Sequence, residues 1–314
     1  MLTVTDTDTQ PFPHERTVVT IGAYDGLHLG HQAVIAQVRA LAAERGARSA
    51  VLTFDRHPAS VVRPESAPLL LTDAEQRLEL LEATGVDVAL VLPFDDERAH
   101  EGATEFVEEV LVGCLRAEAV VVGEDFHFGH HREGNVELLR KLGEAHGFDV
   151  VPIELIARQD GIDEPISSTA IRRALAGGEV ARAAAMLGRP FEARGTVVRG
   201  DQRGRLLGFP TANVEVWNRV CLPADGVYAG WYVHPDGSQH GCAINIGRRP
   251  TFYEHADHSL LEAHLLDFSG DLYGERAKVR FVEFLRSERK FDGIDALVAQ
   301  LKHDIAHAKA ILQP

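Results

Sequence analysis

The sequence predicts two domains of different class: an α/β half on a parallel sheet, then a β half forming an antiparallel barrel with a terminal helix. Three observations predict it. Up to about residue 155, short β-branched runs alternate with helical periodicity, the pattern of a parallel sheet covered on both faces. From residue 188, apolar runs separated by turn residues follow one another, and only the last segment is helical. Many strands and one helix point to a closed barrel. Finally, 314 residues are long for one domain and comfortable for two. Gly188–Pro190 reads as the linker, giving domains of residues 1–187 and 188–314.

Each element has its own signal. TVVTIG (17–22) is short, β-branched and closed by glycine, a buried strand. Gln32–Glu44 carries Val34, Ile35, Val38, Leu41 and Ala42 at helical spacing. SAVLTF (49–54) is the second strand, and Pro58 prevents its continuation. TDAE (72–75) is a capping box opening a helix through Leu78, Leu80 and Leu81 towards Gly85. Strand Asp87–Leu92, a helix around Thr104–Leu115, strand Ala119–Gly123, helix Val136–His146 and strand Phe148–Leu155 follow. The first dozen residues, rich in Thr and Asp, are expected to be a loose tail. In the second half, Ala193–Val198, Val227–Val233, Gln239–Ile246, Ser259–Leu266 and Lys278–Leu285 read as strands. Ile294–Leu312 is helical, with Leu297, Leu301, Ile305 and Ala308 on one side.

Composition narrows the function. Hydrophobic residues make up 45% and charged residues 25%, ordinary for a globular chain. A net charge of −15 argues against unspecific binding to nucleic acid or anionic membrane. It leaves room for a polyanionic ligand that arrives with a metal and meets a local positive pocket. Cys114, Cys221 and Cys242 are widely spaced, with no C-x-x-C pair. They suggest neither disulfide framework nor zinc site, and they fit a reducing compartment. No basic-then-apolar leader and no apolar run of membrane-spanning length is present. The expectation is a cytoplasmic chain.

Three polar motifs mark the first half, two of them directly after a strand, where ligands of parallel sheets bind. In GAYDGLHLGH (22–31), His28 and His31 stand beside Gly26 and Gly30 at a helix N-terminus. One such histidine is by default a cap or loop residue. A pair among glycines that let a backbone approach closely suits phosphate. The spacing is not that of a Walker A loop. Imidazoles that donate hydrogen bonds to phosphate oxygens suit displacement at phosphorus, where positioning and charge stabilisation dominate. GEDFHFGHHREG (123–134) offers Asp125, Phe126, Phe128 and a His/Arg group to hold a ring and a phosphate, although a solvated turn with two buried phenylalanines explains it as well. In ISSTAIRRAL (166–175), Ser167, Ser168 or Thr169 caps a helix, and Arg172 lies about one turn in, facing any polyphosphate near that cap.

The second half centres on GTVVRGDQRGRLLGFPTANV (195–214). Its glycines alone describe a flexible hairpin. The PTAN segment alters that, because Pro210 fixes the backbone while Thr211 and Asn213 present oxygens suited to Mg²⁺. Downstream, LLEAHLLDFSGDLYG (260–274) offers Glu262, His264, Asp267 and Asp271. By strand alternation Glu262 shares a face with His264 and Leu266. Most such carboxylates are exposed ladder charges; here Glu262 is favoured as a general base for a hydroxyl.

These residues resemble two known families. GAYDGLHLGH resembles the motif of HxGH-class nucleotidylyltransferases, whose domain is a Rossmann-like parallel sheet, and its combination with GEDFHFG and ISSTAIR resembles bacterial FAD synthetase. The resemblance implies that His28 and His31 bind ATP phosphates and stabilise charge as FMN attacks the α-phosphorus. It places Gly22, Tyr24, Asp25, Gly30, Ser168, Thr169 and Arg172 at the ATP site, with Asp125 near adenine or ribose. In the second half GRPFEARGTVVRGDQRGRLLGFPTANV, PADGVYAG, NIGRRPTF, EAHLLDFSGDLYG and VEFLRSERKF resemble riboflavin kinase. That implies a six-stranded barrel with Mg-ATP under the loop of Gly200, Arg203, Gly204, Gly208 and Pro210. Thr211 and Asn213 would hold metal and phosphates, Glu262 would activate the ribityl hydroxyl, and Asp267, Phe268, Tyr273 and Arg286 would line the flavin. Across about residues 16–312 the chain thus resembles bifunctional riboflavin kinase/FAD synthetase. The expectation is that riboflavin and ATP give FMN, then FMN and ATP give FAD and pyrophosphate, with Mg²⁺ in both steps. The partners expected are small molecules, without nucleic acid or membrane; the sequence is silent on oligomeric state. The alternatives are a riboflavin kinase with a degenerate or differently specific first domain, towards which His127 is the only hint, and a non-catalytic flavin-binding regulator. PTAN and Glu262 argue against the regulator, since binding alone needs neither.

Overall fold

The computed structural model describes residues 1–153, 165–247 and 260–313. Its contacts divide the chain into two compact units, residues 1–166 and 167–314. The ISSTAIRR helix therefore belongs by contacts to the second unit, ahead of the Gly188–Pro190 linker read from the sequence.

The first unit is built on β1 (Leu2–Val4), β2 (Thr17–Ile21), β3 (Arg48–Phe54), β4 (Val88–Leu92) and β5 (Ala117–Gly123). A small hairpin of β6 (His127–Phe128) and β7 (Gly134–Asn135) follows, then β8 (Asp149–Ile153). The large sheet has the order β1-β4-β3-β2-β5-β8, and every pairing in it is parallel. Successive connections run outward from β2 in one direction and return to β5 on its other side. That reversal leaves a crevice at the carboxyl ends of β2 and β5. Val18, Val19, Ala50, Val51 and Leu52 are fully buried, as strands covered on both faces must be.

Three local expectations are corrected. The amino terminus is not wholly a loose tail: Leu2–Val4 adds an edge strand beside Val88–Leu90 and buries Val4, because a β-branched run finds open backbone groups on β4. The helix after TDAE runs Ala74–Ala83, and its cap is Asp73, whose side chain accepts from Gln76 N. Thr72 is instead drawn to the preceding turn, as described below. The helix expected around residues 104–115 is a short α-turn, Ala103–Phe106, passing into a π-helix over Val107–Cys114. The end of the predicted strand Phe148–Leu155 lies outside the described residues.

The helix after β2 spans Leu29–Arg45, starting ahead of its apolar stripe because His28 caps it, and Gly46 closes it in the left-handed region at φ 65°. The helices Ser168–Ala176 and Val180–Leu187 open the second unit. The barrel follows: β9 (Phe191–Val198), β10 (Ala212–Val216), β11 (Gly226–Val233), β12 (Gln239–Gly247), β13 (Leu260–Leu265) and β14 (Arg276–Arg286). They close in the order β10-β13-β12-β11-β14-β9, with antiparallel pairing throughout. Ile244, Ile246, Leu261 and Ala263 are buried, while alternate residues Asn213, Asn245 and Glu262 are only partly covered. The terminal helix Ile294–Leu312 lays Ala308 and Leu312 on Ala229, Trp231 and Ala243. Ser259 and the RRPTF part of NIGRRPTF lie outside the described residues.

Candidate active sites

The turn after β2 is held in an uncommon conformation. Tyr24 and Leu27, neither of them glycine, have φ of 49° and 38°, and such strain concentrates where structure serves a site. The buried Tyr24 hydroxyl lies 2.7 Å from Thr20 Oγ1. Burial pushes its phenol well above the ordinary value, with the Thr20 bond opposing. The Asp25 carboxylate is also buried and accepts from Leu71 N at 2.9 Å and Thr72 N at 3.1 Å. Thr72 Oγ1 in turn receives Gly26 N at 3.2 Å. Tyr24 and Asp25 thus brace the turn from behind.

The two histidines face each other at its end. His28 Nδ1 accepts the His31 backbone N–H at 3.3 Å, so the neutral ring carries its proton on Nε2 and can donate it to an anion. The rings stack with centroids 3.6 Å apart and planes 19° apart. Burial first, and His28 second, hold His31 well below the ordinary histidine pKa. His31 Nδ1 is buried with no hydrogen-bond partner, a polar atom in need of one. Gly30 leaves room for this stack, since a Cβ there would lie 3.1 Å from His28 Nδ1.

The low pKa of His31 has a sign. Unfolded, the ring takes a proton near the ordinary value; folded, it resists until lower pH. Below the ordinary value the unfolded chain binds more protons, so stability of the first unit declines as pH falls through that window. We expect the unfolding midpoint of the first unit to drop less steeply on acidification in His31→Gln than in wild type, measured by calorimetry across that range.

Beside the turn lies a cavity of about 540 Å³, within the usual size of small-molecule sites. Gly22 and Ala23 form one wall, Phe54 and Pro58 another, and Phe126 and Phe128 a third. His127, His131 and Arg132 also line it. His131 and Arg132 have φ of 51° and 60°, a second strained stretch. Gly129 must be glycine, because its φ is 72° and a Cβ would sit 2.8 Å from Ala103. Asp125 is exposed on the turn leading into this wall. Ser167 caps the helix Ser168–Ala176, accepting from Ala170 N, so Ser168, Thr169 and Arg172 occupy its first turns.

In the second unit, cross-strand register brings residues together. Glu262 on β13 pairs with Asn213 on β10 and with Asn245 on β12. Val227 is opposite Asn245 and also opposite Arg286, so Asn213, Glu262, Asn245 and Arg286 fall in one row around the barrel. The glycine-rich loop folds onto this row, since a Cβ at Gly200 would lie 2.6 Å from the Asn213 carboxamide; one at Gly204 would collide with Phe209 O within the loop. Arg203 opens the short helix Arg203–Leu206 in this loop, and Gly208 leaves it at φ 87°. His264 Nδ1 donates to Pro210 O at 2.7 Å, tying PTAN to β13. Thr211 is exposed at its edge.

The four residues expected around a flavin are divided. Tyr273 stands under the Arg199 guanidinium, 5.2 Å away, beside the glycine-rich loop. Arg286 shares the row of Glu262 and is bound to Asp304 at 2.7 Å. Asp267 pairs with Lys309 at 2.6 Å, and Phe268 packs 4.8 Å from His240, so both are engaged away from the row. Sequence reasoning missed Asn245 and Glu288. Glu288 bonds the Asn245 side chain, and its pKa is raised by burial first, then by Asp225, with Glu262 contributing. Asn245 opens the NIGRRPTF string, but only register places it opposite Glu262. Among the described residues no group of three or more His, Cys, Asp or Glu is placed to hold a metal, and no helix is long and apolar enough to cross a membrane.

A parallel sheet with a histidine-capped turn at its switch point, and a barrel with a carboxylate between two asparagines, suit an enzyme that works on phosphates. Comparison with known proteins supplies the family. Residues 11–170 match the FAD synthetase family and residues 187–312 match riboflavin kinase. Bifunctional riboflavin kinase/FMN adenylyltransferase of Listeria monocytogenes is 38% identical over 93% of this chain and 91% of its own length. The Pseudomonas fluorescens relative of the same name is 40% identical over 96% of this chain and 94% of its own. A crystal structure titled a macrolide-efflux protein from Streptococcus pneumoniae shares 30% identity and covers 98% of both chains with a TM-score of 0.86. That structure shares the fold across both units, whereas the function follows the matches that agree on flavin chemistry. The chain belongs to the bifunctional riboflavin kinase/FMN adenylyltransferase family. It phosphorylates riboflavin to FMN with ATP, then adenylylates FMN to FAD with release of pyrophosphate.

Proposed function

We propose that the adenylyl transfer is run by residues 1–187 at the His28/His31 turn and the phosphoryl transfer by residues 188–314 at the Glu262 row. The observation that carries the first assignment is the juxtaposition of that turn with an aromatic cavity large enough for a flavin ring. His28 donates Nε2–H to the triphosphate while neutral. His31, stacked against it, offers its unpartnered nitrogen to the same ligand. Neither becomes a nucleophile; they stabilise charge as a phosphate oxygen of FMN attacks the α-phosphorus and pyrophosphate leaves. Gly22, Gly30 and Asp125 complete the ATP site of the first unit, with Tyr24 and Asp25 shaping its turn.

In the kinase site, Glu262 takes the proton of the ribityl 5′-hydroxyl as that oxygen attacks the γ-phosphorus of ATP. Gly200, Arg203, Gly204, Gly208 and Pro210 form the loop over the phosphates. Tyr273 and Arg286 contact the flavin, as do Asp267 and Phe268 once released from their present partners. The donor set fits Mg²⁺: Thr211 and Asn213 offer hard oxygens, and Gly200 leaves a cradle over Asn213 that a Cβ would fill. When bound there, Mg²⁺ would neutralise charge on the transferring phosphates. The chain works on small molecules alone, without nucleic acid or membrane, and in the cytoplasm; its three cysteines are buried.

Purified protein supplied with riboflavin, ATP and Mg²⁺ should yield FMN and then FAD by chromatography, and FAD directly when FMN is supplied. Chelation with EDTA should stop both steps and added Mg²⁺ restore them. Failure to phosphorylate riboflavin removes the kinase assignment; turnover that survives chelation removes the metal.

A further inference from the structure

We propose that Arg77 is a positioning residue for the flavin side of adenylyl transfer, a buried cation that sets the width of the cavity by holding two of its walls through their backbones. This rests on the reading of the cavity as the FMN site. Arg77 lies on the helix Ala74–Ala83 and is 6% exposed. Its Nη1 donates to Ala23 O at 3.3 Å and its Nη2 to Phe54 O at 2.5 Å, with Asp55 O at 3.5 Å. Ala23 follows β2 and Phe54 ends β3, and both face the cavity. One guanidinium therefore spans two walls at the carboxyl ends of neighbouring strands.

Burying an arginine is costly, and packing alone would be served better by an apolar side chain. Arg77 Nε has no hydrogen-bond partner, so the group is not there for its own satisfaction. What it satisfies is a set of carbonyls at a strand-end opening, where a fork of N–H donors fits and a methyl does not. Asp25 and Asp55 supply the countercharge, opposing a burial effect that lowers its pKa. Asp55 extends the clasp, because its carboxylate accepts Phe94 N at 2.9 Å and Phe94 packs edge-on to Phe54 at 5.1 Å.

The phosphate side of the same turn is held by other groups. Gly26 is fixed by Thr72, Asp25 by Leu71 and Thr72, and the helix start by His28. Loss of Arg77 should therefore loosen the flavin wall and spare the triphosphate grip. The two substrates report on this separately.

The test is steady-state kinetics of the full chain carrying Arg77→Met or Arg77→Lys, with the kinase step as an internal control. In Arg77→Met we expect KM for FMN in FAD formation to rise about tenfold or more, as sub-ångström misplacement does. KM for ATP and the riboflavin kinase rate should stay within about twofold of wild type. Lysine presents three donors to the same carbonyls and should recover KM for FMN to within about threefold. An unchanged KM for FMN in Arg77→Met overturns the assignment. So does an equal loss for FMN and ATP that lysine fails to recover, the mark of a merely structural role. Should Arg77→Met not fold, Arg77→Gln, which keeps one amide donor group, is read by the same criteria. A wild-type chain that makes no FAD from FMN defeats the underlying reading of the cavity; active wild type with unaltered Arg77→Met defeats only the clasp.

Discussion

Glu262→Gln should abolish FMN formation, lowering kcat for riboflavin phosphorylation by about a thousandfold, while FAD formation from supplied FMN proceeds at the wild-type rate. The magnitude is that of a general base removed from its proton, roughly 10²–10⁴. The substitution is nearly isosteric and leaves the strand register with Asn213 and Asn245 on either side in place, so the row keeps its shape. KM for ATP should change little, since glutamine removes an interaction made in the transition state and not in binding. Coupled chromatographic assays with riboflavin and with FMN separate the outcomes. Loss of both activities in a folded variant would contradict separate sites, and undiminished FMN formation would remove Glu262 from the chemistry.

His28→Ala should do the reverse, reducing FAD formation by about 10²–10³-fold, the effect of deleting one preorganised donor to developing charge. Riboflavin phosphorylation serves as the control and should be unaffected. The same change removes a helix cap and costs about 1 kcal/mol of stability. His28→Asn separates the two effects, because its amide oxygen can accept His31 N as the imidazole does now. If the asparagine variant regains stability but not turnover, the ring acts on the ligand; if both return together, its role is capping. An alanine variant with wild-type FAD formation would exclude His28 from the mechanism.

Most of the architecture was written locally. β2 to β5 are β-branched and unbroken, and the terminal helix declares itself by period. β10 went unseen as a strand because ANVEV is short and puts polar Asn213 and Glu215 on one face, so only pairing with β9 and β13 identifies it. Leu2–Val4 was hidden by the Thr- and Asp-rich segment after it. The cap assignment at Thr72 failed because two residues competed for one position: Asp73 took the helix, leaving Thr72 to hold Gly26 and Asp25. The same limit applies to the sites. His28, His31, Glu262 and the PTAN oxygens stand in recognisable strings. Arg77 does not, and Asn245 and Glu288, although inside NIGRRPTF and VEFLRSERKF, are not singled out by those strings, since each gains its place from a strand or helix distant in sequence. Arg286 shows the limit from the other side, because its pairing with Asp304 depends on where the last helix lands.

Asn213, Asn245 and Glu262, the residues proposed for phosphoryl transfer, alternate along their strands with the apolar filling of Ile244, Ile246, Leu261 and Ala263. Evolution can therefore tune this half for heat or cold by exchanging interior volumes without disturbing turnover. An engineer has the same freedom on β10 and β13, where one side serves durability and the other selectivity.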